Sequence, residues 1–209
     1  MPLTPEAFAA AVDVSRETLD GLRRYADLLV KWQRSINLVA ADSLDDLWRR
    51  HMLDSAQLYR LLPPGDCWVV DLGSGAGFPG LVLAAMGAGD VHLVESDGRK
   101  CVFLAEAARA CGLEAGVNPV IHRARLEQMR GLTAEVVTAR ACAPLDRLLD
   151  YAEPFLRPQS ICLFLKGAGA ADELTAAANR WRMTVERLPS VSDPSGTILR
   201  IGQVTRAGR

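Results

Sequence analysis

The spacing of apolar positions changes along the chain. From Ser15 to about Gln33, Leu19, Leu22, Ala26, Leu29 and Val30 recur at helical spacing while Arg16, Arg23, Arg24 and Lys31 fall elsewhere; this predicts an amphipathic helix capped by Ser15. A second helix is expected to start at Ser43, with Asp46 three residues on as in a capping box, and to continue through Leu47, Trp48, Met52, Ala56 and Tyr59 until Pro63 and Pro64 end it. Beyond Gly65 the pattern shortens to β-branched runs separated by helical stretches. Strands are expected at Cys67 to Val70, Val91 to Glu95, Pro119 to His122, Val136 to Ala139 and Ile161 to Leu165. Helices are expected near Leu81 to Met86, Arg99 to Cys111, Leu145 to Phe155 and Ala170 to Trp181, with Gly112 closing the second of these.

Strands alternating with helices imply a parallel sheet covered on both faces. The end of the chain departs from that rhythm. Thr184 to Leu188 and Thr197 to Val204 read as strands joined by Pro189 Ser190 Val191 Ser192 Asp193 Pro194 Ser195 Gly196 with no helix between, so this pair is expected to be antiparallel.

Composition adds bounds. The chain has 209 residues, 49% hydrophobic and 23% charged, which suits one domain with a substantial core: a helical cap over 1–64 and a Rossmann-like core over 65–209. The five cysteines show no C-x-x-C pair or zinc spacing, which points to reduced thiols and no metal. No stretch resembles a membrane span or a signal peptide, and a cytoplasmic protein is expected. A net charge of -1 excludes bulk attraction to nucleic acid. An RNA partner would need a local patch, for which Arg23, Arg24, Lys31, Arg34, Arg49 and Arg50 are candidates.

The stretch Asp71 Leu72 Gly73 Ser74 Gly75 Ala76 Gly77 Phe78 Pro79 Gly80 carries the densest signal. Gly73, Gly75 and Gly77 allow a sharp turn and close backbone approach to a ligand, and Pro79 suits a helix start. Gly75, Gly77 and Gly80 also satisfy G-x-G-x-x-G, so a dinucleotide remains an alternative. A pyrophosphate wants free N–H groups and no nearby anion. Pro79 removes a donor and Asp71 adds a carboxylate, which favours the cationic, phosphate-free S-adenosylmethionine (SAM). The terminal antiparallel pair agrees, since seven strands ending in a hairpin is the layout of class I SAM-dependent methyltransferases.

Other residues complete the candidate site. Glu95 stands at a strand end, placed to accept from a ribose diol. Arg125 Leu126 Glu127 follows the third strand, within reach of an adenine or simply solvated. Arg140, in Thr138 Ala139 Arg140 Ala141 Cys142 Ala143 Pro144, is placed to stack on a base or hold a phosphate, with a salt bridge to Asp146 as the alternative. Cys142 reads as packing rather than a nucleophile, since no partner base is visible. The Asn/Asp-Pro-Pro-aromatic stretch common in methylation of exocyclic amines is missing here, which argues against an amino-group target. His51 and Asp54, at i and i+3, share a face and are expected to bond each other or to meet the cofactor pocket.

Taken together, these motifs resemble the RsmG (GidB) family of bacterial 16S rRNA methyltransferases across nearly the whole chain. Trp32 to Leu38 is similar to W-N-x-x-x-N-L, Arg50 to Ser55 to R-H-x-L-D-S, Asp71 to Gly80 to D-x-G-[ST]-G-x-G-x-P-G, Arg140 Ala141 to S-R-A, and Leu165 Lys166 Gly167 to L-K-G. Gln33 and Ala139 depart from the usual Asn and Ser. By matching position, the resemblance implies SAM contacts at Gly73, Phe78, Leu126, Glu127 and Arg140; Arg50, His51, Asp54 and Lys166, in the matching segments, are the candidates for the substrate side. It further implies a target at N7 of a guanine in the 530 loop of 16S rRNA, usually numbered 527, with the rRNA or small subunit as partner of a monomeric enzyme. An NAD(P)-dependent oxidoreductase, or a non-catalytic ribosome-assembly factor on the same fold, are the competing readings.

Overall fold

A computed structural model describes residues 1–116 and 118–208; Val117, and Arg209 where the expected core ends, lie outside it. Seven strands form one mixed sheet: β1 (Val69–Leu72), β2 (Val91–Glu95), β3 (Val120–Arg123), β4 (Ala134–Arg140), β5 (Leu156–Lys166), β6 (Trp181–Pro189) and β7 (Thr197–Arg206). Their order is β3-β2-β1-β4-β5-β7-β6. The first five are parallel, and β7 inserts antiparallel between β5 and β6. The chain thus has the class I methyltransferase fold expected from its alternation.

Strand side chains alternate between two apolar clusters, as a pleated sheet buried on both faces requires. Val69, Val91, Leu93 and Val136 pack beneath the N-terminal segments and helices α4 (Gly80–Ala85) and α5 (Gly98–Ala110). Val70, Leu72, Val137 and Phe164 face α6 (Leu145–Ala152) and Trp181, with Ala177 of α7 (Ala170–Ala177) in the same cluster. The expected helix ending at Trp181 therefore stops earlier: that indole is buried as the first residue of β6. Strands β4 and β5 also run past the apolar stretches that announce them: Leu156 pairs with Ala134, exposed Arg157, Pro158 and Gln159 fall in a register shift, and pairing resumes between Ile161 and Val136.

The N-terminal segments show the largest departures. Helix α1 (Pro5–Val12), capped by the Thr4 hydroxyl with Pro5 in its first turn, was not expected. Helix α2 (Arg16–Gln33) starts at Ser15, whose hydroxyl accepts from the Thr18 N–H, as predicted. Gly21 lets it lie against the end of α5, where a Cβ would come 2.9 Å from the Cys111 carbonyl. The second helix is not a continuous α-helix. It breaks into a 3₁₀ turn over Ala41–Asp46, a π-helical turn over Trp48–Leu53, a short α-turn α3 (Asp54–Ala56) and a 3₁₀ turn over Gln57–Leu61. Ser43 does not cap it; its hydroxyl is turned inward to the Ala40 carbonyl and to His51. Among the described residues no helix is long and apolar enough to cross a membrane.

Candidate functional site

The parallel strands β1, β2 and β4 end at one edge of the sheet, and the glycine loop turns back over it. Gly77 has φ +96°, and a Cβ there would lie 2.7 Å from the Tyr25 Oη. Only glycine lets the loop press so closely on α2. The Tyr25 hydroxyl donates to the Ala76 carbonyl, and its ring stacks on Phe78 at 5.4 Å. Phe78 is covered on further sides by the His51 ring at 5.0 Å and by the Arg140 guanidinium at 4.8 Å. Cap, loop and sheet edge thus converge on one aromatic side chain.

Around this cluster lies a cleft of about 600 Å3, lined among others by Gly73, Gly75, Phe78, Glu95, Arg50, His51, Asp54 and Arg140. Three of the loop's donors are already spent internally. Ser74 N–H donates to the Val94 carbonyl at 3.0 Å, Gly77 N–H to the Ser74 carbonyl at 2.7 Å, and Gly75 N–H to Glu95 Oε2 at 2.9 Å. Glu95 Oε1 accepts from the Asp97 N–H at 2.7 Å, so each carboxylate oxygen makes one such bond and has further acceptor capacity.

Several expected site residues sit elsewhere. Asp71 is wholly buried beneath the loop and does not line the cleft: Oδ1 accepts from the Thr138 hydroxyl at 2.8 Å, and the missing side chain of Gly80 makes room for it. Burial raises its carboxyl to about 6, against the pull of the hydrogen bond from Thr138. Of the two carboxylates expected beside the loop, Glu95 is the one that lines the cleft. Gly77 lies behind the loop against α2, and Leu126 and Glu127 line a separate groove beside α6. Lys166 is outside the main cleft, paired with Glu173 at 2.7 Å, and lines a smaller adjoining recess.

His51 and Asp54 do not bond each other, because the π-helical turn displaces one from the other's face. His51 Nε2 lies 2.7 Å from Ser43 Oγ. Since Ser43 gives its proton to Ala40, the imidazole is the donor and its buried Nδ1 is left without a hydrogen-bond partner. Burial and the neighbouring Arg140 and Arg50 lower its pKa to about 3, so the ring is neutral. Asp54 instead accepts from Ser192 Oγ at 2.6 Å and Gln57 Nε2 at 3.0 Å, and its Oδ2 lies 3.5 Å from Arg140 Nη1. Burial pushes its carboxyl up. Arg140 also donates to the Arg50 carbonyl at 2.9 Å; Asp146, the alternative partner considered for it, pairs with Arg180.

Sequence reasoning missed two walls of the cleft. One is Asn37 to Ala40, held by Gln33, whose Oε1 accepts from Leu38 and Val39 N–H and whose Nε2 donates to the Val39 carbonyl. The other is Ser192 and Asp193 of the β6–β7 connection, which carried only a turn signal. Three of the six candidates for a basic patch are paired: Arg23 with Glu6 and Asp20, Arg49 with Asp46, and Arg50 with Asp42.

Comparison with known proteins places this arrangement. Residues 18–198 match the family described as rRNA small subunit methyltransferase G (GidB). The chain belongs to that family. It is 60% identical over 202 residues to the ribosomal RNA small subunit methyltransferase G of Paramagnetospirillum magneticum, covering 97% of each chain. It is 57% identical over 205 residues to that of Rhodospirillum rubrum, covering 98% of this chain and 100% of the relative. Solved structures share the fold at lower identity. A ribosomal protein L11 methylase from Lactobacillus delbrueckii subsp. bulgaricus has a TM-score of 0.60 at 14% identity, over 71% of this chain and 76% of its own. M. jannaschii TYW2 in complex with AdoMet has a TM-score of 0.54 at 16% identity, over 83% and 80%. Family membership agrees with the order in which the R-H-x-L-D-S, glycine-loop and R-A segments meet at Phe78.

Proposed function

We propose that this protein, acting as one unit of cap and core in the cytoplasm, transfers a methyl group from SAM to N7 of the 530-loop guanine, usually numbered 527, of 16S rRNA in the small subunit. The cofactor half of this reading is carried by the internal use of the Ser74, Gly75 and Gly77 N–H groups. A pyrophosphate would find those donors taken, whereas a cofactor without phosphate does not need them. Gly73, Gly75, Phe78 and Glu95 are the residues assigned to hold it, with the Glu95 carboxylate accepting from ribose hydroxyls. When bound, SAM supplies an electrophilic methyl: the N7 lone pair forms the new bond as the C–S electron pair passes to sulfur, and no proton is lost.

That chemistry suits the site. The imidazole of His51 is neutral and committed to Ser43, and Asp54 is committed to Arg140, Ser192 and Gln57. Transfer to N7 requires neither as a base. What it requires is alignment, which can supply roughly 7–11 kcal/mol in favourable cases. Arg140, fixed over Phe78 at the boundary between cleft and recess, is assigned to positioning. The choice of rRNA substrate rests on family membership. Mass spectrometry of 16S rRNA incubated with the pure protein and labelled SAM tests the reading, with 7-methylguanosine in the 530 loop expected. Tight NAD(P) binding without SAM binding would refute the cofactor. If deleting the protein from its host left the methylation of this guanine unchanged, the assembly-factor reading would gain instead.

A further inference from the structure

On the far side of Arg140 from the glycine loop is a recess of about 210 Å3. Asp54, Arg140, Ala141 and Asp193 line both it and the main cleft, so the two spaces adjoin. Its volume equals about seven waters of bulk liquid, the scale of a single bicyclic nucleobase. Leu165 and Ala141 contribute apolar surface, and the polar groups are of both signs.

Most of those charges are already committed. Lys166 is bound to Glu173 at 2.7 Å and donates to the Ala143 carbonyl at 2.8 Å. Asp54 holds Ser192, Gln57 and Arg140. Asp193 differs. Its Oδ1 accepts from the N–H and hydroxyl of Ser195, both at 2.8 Å, while its Oδ2 has no hydrogen bond or ion pair among the described residues. The hydrogen bonds from Ser195 and the charge of Arg50 hold the carboxyl below its ordinary range, so it is ionised. The loop that carries it is tied to the cap: Gln57 bonds Ser190 and the Val191 N–H, and Ser192 bonds Asp54. Asp193 is therefore an exposed anion in a fixed place at the junction of cleft and recess.

Resting on the methyl-transfer reading above, we propose that this recess receives the target base and that Asp193 is a specificity-determining residue, accepting hydrogen bonds from guanine N1–H and the N2 amino group. Guanine presents donors along this part of its edge, with O6 and N7 as acceptors on the other side. A carboxylate holding the donors leaves the N7-bearing edge free, and Arg140 is placed for O6. Adenine would present its unprotonated N1 to Asp193 and an amino group to Arg140. A site built around hydrogen bonds rejects strongly an analogue that leaves its groups unpaired.

The test crosses two changes. Small subunits are prepared with guanine or inosine at the target position, inosine lacking only the N2 amino group, and methyl transfer by the wild-type protein, Asp193→Asn and Asp193→Ala is measured. Asp193 is exposed, so both variants should fold. For the wild type, inosine should lower kcat/KM roughly tenfold to a hundredfold, the range of one hydrogen bond to a charged group. Asp193→Ala should lose a similar factor on guanine and no longer distinguish the two bases. A loss caused only by loop damage would preserve that distinction. The proposal is overturned if Asp193→Asn and Asp193→Ala stay within about twofold of wild type on guanine, or if they discriminate against inosine as the wild type does. Absence of N7 methylation by the wild type would instead remove the underlying functional reading.

Discussion

The neutral, buried His51 makes a specific demand on acid stability. Its ring is 6% exposed, stacked between the cap and Phe78, with a pKa near 3 in the folded protein against 6.5 when free. Between those values the unfolded chain binds a proton at this site that the folded chain does not. Stability is therefore full above pH 6.5 and falls as pH drops toward 3, by about 1.4 kcal/mol per unit. At pH 5.0 the cost is about 2 kcal/mol. Asp71 acts with the opposite sign. Its carboxyl sits near 6 when folded and 3.8 when free, so the folded state holds the proton more tightly and stability rises on acidification across that window, by about 3 kcal/mol in total. In the wild type the two slopes largely cancel between pH 6 and pH 4. Urea unfolding of wild type and His51→Gln at pH 7.5 and pH 5.0 separates them. The variant removes the His51 slope, so going to pH 5.0 should cost the wild type about 2 kcal/mol more than the variant, whatever offset the substitution causes at pH 7.5. Parallel pH profiles would refute the claim that His51 is held neutral.

Three other outcomes follow from the same geometry. Arg140→Ala should lower methyl transfer from labelled SAM by at least about a hundredfold, the scale of a lost positioning group, whereas Cys142→Ala should leave it close to wild type. Burial and the nearby carboxylates raise the Cys142 thiol pKa, and equal, severe losses from both variants would favour a covalent route instead. Gly77→Ala should cost roughly 1–3 kcal/mol in thermal or urea unfolding and weaken SAM binding in calorimetry, because its backbone is left-handed and a Cβ would meet the Tyr25 hydroxyl. Asp71→Asn should remove the contribution that offsets His51, so that stability falls by about 1.4 kcal/mol per unit between pH 6 and pH 4, where the wild type is nearly flat, again read by urea unfolding.

Which features could be read from the sequence depended on how local their causes were. The helix from Ser15, the glycine loop and the parallel strands are announced by neighbouring residues: a cap, positive-φ positions, a β-branched run. Segment 41–61 was misread because its helical geometry is set from outside. The Ser43 hydroxyl is drawn to Ala40 and His51, and the wide π-helical turn brings His51 onto Phe78, a contact 27 residues away in the chain. Asp71 illustrates the limit best. A carboxylate at a strand end beside a glycine loop looks like a ligand contact in sequence. Its partner Thr138 lies 67 residues on, across the β1–β4 register, and only tertiary pairing shows that the group is buried beneath the loop. Beside the loop, it is Glu95 rather than Asp71 that lines the cleft. The wall formed by Ser192 and Asp193 had no local signal beyond that of a turn.

The Asp54–Arg140 contact is best understood through what its burial does. Both side chains are largely buried, 17% and 16% exposed, yet the closest approach is a long 3.5 Å. Burial pushes the Asp54 pKa up and the Arg140 pKa down, so desolvation opposes both charges. A buried pair of such geometry is weak evidence for stability, since desolvation consumes much of the Coulombic gain. Its effect on position is clearer. Arg140 is held from three directions, by Asp54, by the Arg50 carbonyl and by the Phe78 ring, while Asp54 also pins Ser192. One carboxylate thereby fixes the guanidinium at the end of β4 relative to both the glycine loop and the β6–β7 connection. The cleft and its recess share a wall because segments at 50–54, 73–78, 140 and 190–193 are tied together there, and a methyl transfer that depends on alignment rather than on a base needs that wall to be rigid.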